Sequence, residues 1–423
     1  MSFQNDVSSH DSFQKNGSAN PSVKFVLKLL PAALIAALIS TPVAAGFPTL
    51  YGKAYLTASQ YELEKTNFAL TALNAITYKH IGATGTISEL ESSVIESTGS
   101  RLGVQGDFGA ANDLIIFYRI EYGIDMDNGT NANGRELTQR NIFGGVRGAW
   151  GQVLVGKNDT PLKTLQTNSV LRTDLDQFND APLADIGTYL VGENRPDNVI
   201  QYTSPILLGG LEINFAAIQA EETGVYETTA KPQNDNNFAS GKSLSVVYGK
   251  AKWYVGAAYE TNVATTDAFR AVGEITLGSV KLGAIIQTAE RHEAIDSLGA
   301  FSTFVGTTGT TLGAQNGLTL LSEWDGAAGN AFKEQHGYVL NAAWKVAGPW
   351  TAKVQVGSST TTPTNAAFGD VKANALALGV DYKLSDAARL FTYYASVEAE
   401  GDAKISTEAA IDKTFAVGVD FKF

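Results

Sequence analysis

Residues 415–423 read Phe-Ala-Val-Gly-Val-Asp-Phe-Lys-Phe. In an extended strand successive side chains point to opposite faces. Phe415, Val417, Val419, Phe421 and Phe423 therefore line one side, and Ala416, Gly418, Asp420 and Lys422 the other. An aromatic and aliphatic stripe at the very end of a chain is a liability in water. It fits a strand whose apolar face meets lipid, whose polar face meets a water-filled lumen, and whose terminal ring sits at the membrane interface.

The pattern recurs upstream. In 50–57, Leu50, Gly52, Ala54 and Leu56 share a face opposite Tyr51, Lys53, Tyr55 and Thr57. In 113–125, Leu114, Ile116, Tyr118, Ile120, Tyr122 and Ile124 oppose Arg119, Glu121, Gly123 and Asp125. Tyr338, Leu340, Ala342, Trp344 and Val346 oppose Asn341 and Lys345, and Leu376, Leu378, Val380, Tyr382 and Leu384 oppose Gly379, Asp381 and Lys383. Phe391, Tyr393, Ala395 and Val397 read as the apolar face opposite Thr392, Ser396 and Glu398. A helical period would scatter all of these sets.

Connectors alternate in length. Short ones fall at 148–151, 249–252, 277–280, 347–349 and 385–387; long ones at 62–98, 160–195, 220–241, 289–335 and 358–370. Tight turns at one end and long loops at the other describe an up-and-down barrel. The expectation is an all-β transmembrane antiparallel barrel of about 16 strands; the segment 297–321 leaves room for one more hairpin, and so about 18. A secreted multi-sandwich protein would bury one face on a core and show no such asymmetry. Trp150, Trp253, Trp344 and Trp350 lie beside short turns, as an interfacial girdle requires.

Composition narrows the function. The 423 residues carry 42 Gly, 16 Tyr and 20 Phe, only 17% are charged, and there is no cysteine, which excludes disulfides and thiolate chemistry. A net charge of -12 with no basic block argues against nucleic acid. Lys24 and Lys28, the apolar run 29–39 and the small residues Val43-Ala44-Ala45 read as a signal peptide over 1–45, ahead of one barrel domain over 46–423. The run is too short to cross a bilayer as a helix. Neither H-E-x-x-H, a P-loop nor G-x-S-x-G occurs, and His80, His292 and His336 are far apart, so neither an enzyme nor a cofactor or metal site is expected.

Several stretches resemble the Gram-negative general porins in order and spacing. Thr49-Leu50-Tyr51-Gly52-Lys53 is similar to their first strand, Ser100-Arg101-Leu102-Gly103-Val104-Gln105-Gly106 to the second, Arg119-Ile120-Glu121-Tyr122-Gly123 to the third and Gln139-Arg140-Asn141-Ile142-Phe143-Gly144-Gly145 to the fourth. GQVLVGKNDTPL over 151–162 resembles the fifth strand and its exit into loop three, DNVIQYTSP over 197–205 the return, and Phe423 the assembly signal read by the barrel-assembly machinery. The resemblance implies a homotrimer in the bacterial outer membrane, in contact with its lipids and passing small hydrophilic solutes and ions. Loop three, 160–195, would fold into each lumen. Lys53, Arg101 and Arg140 would form the basic wall and Glu121 its acid; alternation independently places Lys53, Arg101, Arg119 and Glu121 on the polar face. Asp174, Asp176, Asp180 and Asp185 are the acids the loop could set opposite. Gln201 and Thr203 stand where the family often has a luminal Arg, with Arg195 nearby to compensate; Lys157, Arg172 and Arg195 otherwise read as solvated wall charges. A substrate-specific channel or a surface adhesin is the alternative to weakly selective diffusion.

Overall fold

A computed structural model describes residues 47–65, 89–109, 113–127, 137–168, 173–219, 239–264, 266–292, 332–363, 370–401 and 409–423. The expected signal peptide, Arg172 and the extra hairpin at 297–321 lie outside the described residues.

The strands are β1 (Thr49–Lys65), β2 (Glu89–Glu96), β3 (Arg101–Gly109), β4 (Ile115–Ile124), β5 (Leu137–Gly148), β6 (Gly151–Lys157), the short β7 (Thr167–Asn168) and β8 (Thr173–Asp174), β9 (Val199–Thr203) and β10 (Leu211–Ile218). There follow β11 (Gly241–Lys250), β12 (Trp253–Val263), β13 (Thr266–Leu277), β14 (Val280–Arg291), β15 (Phe332–Ala347), β16 (Trp350–Pro363), β17 (Val371–Lys383), β18 (Ala388–Gly401) and β19 (Ala409–Lys422). Each wall strand pairs antiparallel with its neighbours, and β1 pairs with β19 from Lys53↔Lys422 to Lys65↔Ala410, which closes the ring. Both β2 and β3 pair with β1 and form two segments of one strand, so the 17-stranded sheet is a barrel of 16 wall positions. The terminal Phe423 exchanges backbone bonds with Gly52 (2.9 and 3.1 Å), and its ring covers the space a Cβ at Gly52 would need.

Several hairpins at one end close in two residues, as at Gly278-Ser279 and Gly348-Pro349, where each Gly takes a positive φ (+62° and +55°). Trp150, Trp253, Trp344 and Trp350 ring that end with their rings exposed. At the opposite end the strands run further than hydrophobic alternation suggests. β1 continues to Lys65, β2 occupies 89–96 and β16 reaches Pro363, all within stretches expected to be loop. These extensions carry Ser, Thr and Glu on both faces, so period-two polarity is lost although the hydrogen-bond ladder continues. The β12–β13 connection on this side is a tight turn, Val263 pairing with Thr266, and it breaks the expected alternation of short and long.

The outward face is apolar: Val255, Tyr259, Ile286, Tyr338, Leu340, Leu378, Phe415 and Val417 are exposed. The buried core lies inside the ring, between the wall and the loop at 158–198. β18 shows the consequence. Phe391, Tyr393, Ala395 and Val397 point inward and are buried, while Leu390 and Tyr394 are exposed, so the expected face assignment of this strand is inverted. Both faces of β18 are apolar here because one meets lipid and the other meets the loop.

Candidate functional site: a charged neck inside the barrel

The loop folds by local rules. Pro161 occupies the first turn of α1 (Pro161–Thr164), and the side chain of Thr160 accepts from the Lys163 amide at 3.2 Å. β7 and β8 pair as a small ribbon, and Asp185 caps a 3-10 turn at Ile186–Thr188 through the Gly187 amide at 2.7 Å. Leu162, Leu165, Leu175, Phe178, Ile186, Tyr189 and Leu190 are buried. Glycines on the wall receive the longer ones: Leu165 sits on Gly256, Leu175 on Gly283, Leu190 on Gly337, Tyr189 on Gly357 and Phe178 on Gly379, each where a Cβ would overlap the incoming side chain. Amides of wall residues complete the seat. Gln355 donates to Asp176 and to the Ala184 carbonyl, and Asn341 donates to the Leu175 carbonyl. A segment bonded to inward-facing side chains of β12 through β16 and of β18 lies within the ring.

Two cavities flank this loop. One, of about 610 Å³ on the long-loop side, is lined by Arg101, Arg119, Arg140, Lys163 and Arg195 on the basic side and by Glu121, Asp159, Asp174, Asp180, Asp185 and Glu193 on the acidic. The other, of about 590 Å³ on the short-turn side, carries Lys53, Arg101, Lys281, Lys345, Lys353 and Arg389 with Asp174, Asp176, Asp180, Asp381 and Asp420. Arg101, Asp174, Asn179 and Asp180 line both, and mark the neck between them.

The wall charges are held in fixed pairs. Glu121 accepts from Arg140 at 2.8 Å and from the Tyr51 hydroxyl at 3.0 Å. Arg119 bonds Gln105 and lies over the Tyr51 and Phe143 rings. A β-bulge opposite Glu121 lets consecutive residues Arg140 and Asn141 both face inward, which simple alternation forbids. An unbroken series of ion pairs runs along the short-turn side: Lys353–Asp381 (3.1 Å), Asp381–Arg389 (2.6 Å), Arg389–Asp420 (3.1 Å), Asp420–Lys53 (3.8 Å), Lys53–Asp180 (2.8 Å) and Asp180–Arg101 (3.6 Å). Lys53, Lys353 and Arg389 rest on the rings of Tyr55, Phe178 and Phe391.

Of the loop acids, Asp180 reaches the basic wall directly. Burial raises its carboxyl, but Lys53, Arg101 and Arg140 outweigh burial and hold it at about 2. Asp174 accepts from the Asp176 amide and from Asn179 while facing both cavities. Burial, with neighbouring carboxylates, lifts Asp174 to about 7 and Asp185 to about 6. Asp176 stands at the edge of the short-turn cavity. It is buried and turned back into the loop, accepting from the Phe178 and Ile186 amides, so it shapes the loop more than it faces the passage.

Lys157 pairs with Asp197 at 2.8 Å, away from the neck, as a wall charge. Arg195 does more than expected: it pairs with Asp159 at 2.9 Å and lines the long-loop cavity. Gln201 takes up Asn158 at 3.0 Å where a luminal Arg was absent from the sequence. Asp159, Lys163, Glu193, Lys353, Arg389, Asp381 and Asp420 were not singled out by sequence reasoning. For the last four, period-two parity within β16–β19 was the available signal.

The profile of the Gram-negative porin family matches residues 32–402. Outer membrane protein U of Vibrio cholerae is 29% identical over 150 residues, 34% of this chain; the match spans 41% of that relative's length. Among solved structures, the anion-selective porin from Comamonas acidovorans superposes with a TM-score of 0.56 at 16% identity, covering 89% of this chain and 99% of that one. OmpT of Vibrio cholerae in its trimer form gives 0.55 at 16% identity (90% and 100%), and Salmonella typhi OmpF in complex with daunomycin 0.56 at 15% (90% and 100%).

Proposed function

The chain belongs to the Gram-negative porin family, and we propose that it is an outer-membrane channel through which small hydrophilic solutes and ions diffuse passively. The observation that carries this reading is the neck, where Arg101 on the wall faces Asp174, Asn179 and Asp180 on the loop with a cavity on either side. Opposed fixed charges set a transverse field across the passage. A dipolar or hydrated solute gains from aligning with it, and an apolar one gains nothing while losing its hydration partners. The charges remain in a wet lumen, so they escape the roughly 2–4 kcal/mol penalty of Lys or Arg facing lipid at the midplane.

Lys53, Arg101, Arg119 and Arg140 form the basic side, with Glu121 ordering Arg140; Asp174, Asp180 and Asp185 form the acidic side. Selectivity is weak because Lys53, Arg101 and Arg140 are each matched by an acid, which leaves Arg119, on Gln105 and two rings, as the one of these four wall cations without a paired carboxylate. An aromatic slide for sugars would need exposed luminal rings, whereas Tyr55, Phe391 and Tyr393 are covered by the loop. A homotrimer is in keeping with the trimeric form of the V. cholerae OmpT structure. Phe423, bonded to Gly52 at the seam, is the residue through which assembly is recognised. Liposomes carrying the folded protein should swell in isotonic small sugars at rates that fall with sugar size. Swelling no faster than empty liposomes for the smallest sugar contradicts this reading.

A further inference from the structure

Arg270 of β13 is wholly buried inside the ring, in neither cavity lining, and takes no part in the charged neck. Burying a guanidinium is costly unless each donor finds an acceptor. Here its Nε donates to Gln287 at 2.7 Å, its Nη1 to Gln166 at 2.6 Å and to Glu193 at 2.7 Å, and its Nη2 to the Val191 carbonyl at 3.1 Å. Gln166 lies on the outgoing limb of the loop and Val191 and Glu193 on the returning limb, so one side chain ties both limbs to the wall. Gln287 of β14 donates to the same Val191 carbonyl at 2.8 Å, and Gln166 donates to Glu193 at 3.3 Å. The backbone is shaped to this contact. Gly192 holds φ at +96°, and a Cβ there would lie 2.8 Å from Leu162 and 3.5 Å from Arg270.

We infer that Arg270 is a positioning residue that fixes the base of loop three, and through it the width and steadiness of the passage. The inference rests on the channel reading. Its physical content is separate from charge selection, because a buried guanidinium matched by Glu193 presents little field to a passing ion. Removing it frees both limbs together and leaves Glu193 buried without its cation. The glycine seats at Leu175, Phe178, Tyr189 and Leu190 remain, so the loop loosens at its base and does not leave the lumen.

The test compares the full-length protein with R270M and E193Q, each refolded in detergent and checked for a heat-modifiable barrel. Amide exchange over residues 186–195 is expected to speed up by about 100-fold or more in R270M, in keeping with loss of a buried pair. In planar bilayers the open-state current should become noisy in both variants, which change the net charge beside the long-loop cavity in opposite directions, so noise common to both reports the lost tie and not the altered field. Exchange and current noise like those of the parent protein would overturn the inference, as would a shifted reversal potential with a quiet current. If R270M does not fold, E193Q decides by the same readouts, since it alters the bond from the loop side alone. A parent protein that folds but never conducts sinks the channel reading, and the exchange comparison still tests whether Arg270 holds the loop.

Discussion

Asp180→Asn isolates one charge at the neck with little disturbance of shape. Asp180 sits in the left-handed region at φ +68°, which Asn tolerates as readily as Asp, so the backbone is retained. In the parent protein, burial raises the carboxyl and Lys53, Arg101 and Arg140 lower it further than burial raises it, from an ordinary 3.8 to about 2. That difference corresponds to about 2 kcal/mol of attachment between loop and wall. Because the folded value lies below the unfolded one, this attachment is fully present above pH ~4 and is lost as pH falls through about 2. At neutral pH the variant therefore loses the attachment and one negative charge, and exposes the Lys53 ammonium that lay 2.8 Å from it. An ion passing about 4 Å from the positive charge so uncovered gains or loses at most about 1 kcal/mol in bulk-like water, roughly a fivefold factor for each sign, with Asp420 at 3.8 Å from Lys53 offsetting part of it. Reversal potentials under a salt gradient should move toward anion preference near 0.1 M, where the screening length is about 10 Å, and much less near 1 M, where it is about 3 Å. No shift at low salt, or an equal shift at high salt, would refute the reasoning.

Other perturbations probe separate parts of the account. Lowering pH from 8 to 5 should move the ion preference toward anions with a midpoint between about 6 and 7, as Asp185 and Asp174 take up protons, read by the same reversal potentials. Their raised values also mean that ionising them weakens loop docking as pH rises through that window, so the loop should resist protease better at pH 5 than at pH 8. Gly357→Val places a side chain where the Tyr189 ring now lies, at a cost of about 1–3 kcal/mol for overpacking; amide exchange around Tyr189 should accelerate while the barrel stays heat-modifiable. Deleting Phe423 removes its backbone bonds with Gly52 and the ring above it, and should lower the yield of folded protein in the outer membrane, measured by heat-modifiable band intensity.

The wall was legible because lipid and water impose opposite demands on alternate residues, as in β4, β15, β17 and β19. Legibility failed where one demand was missing. In β18 both faces are apolar, since loop three covers Phe391 and Tyr393 from within, so polarity could not say which face meets lipid. Beyond the apolar band, β1 and β16 continue as polar strands that carry no hydrophobic period. At Arg140–Asn141 a bulge interrupts the period itself. Within the loop, tertiary contacts decide which acids face the passage: Asp176 turns to its own backbone amides while Asp180 crosses to Lys53, and no local pattern distinguishes them. Arg270 was invisible for a similar reason. Its inward parity was readable in β13, but its partners lie 77 and 104 residues away in sequence.

The central claim is an open, charge-lined passage through each barrel. Single-channel recording of the purified, folded protein in a planar bilayer under a salt gradient tests it most directly. The account predicts stepwise currents that close in groups of three with a small reversal potential. A folded, heat-modifiable barrel that passes no current would contradict it.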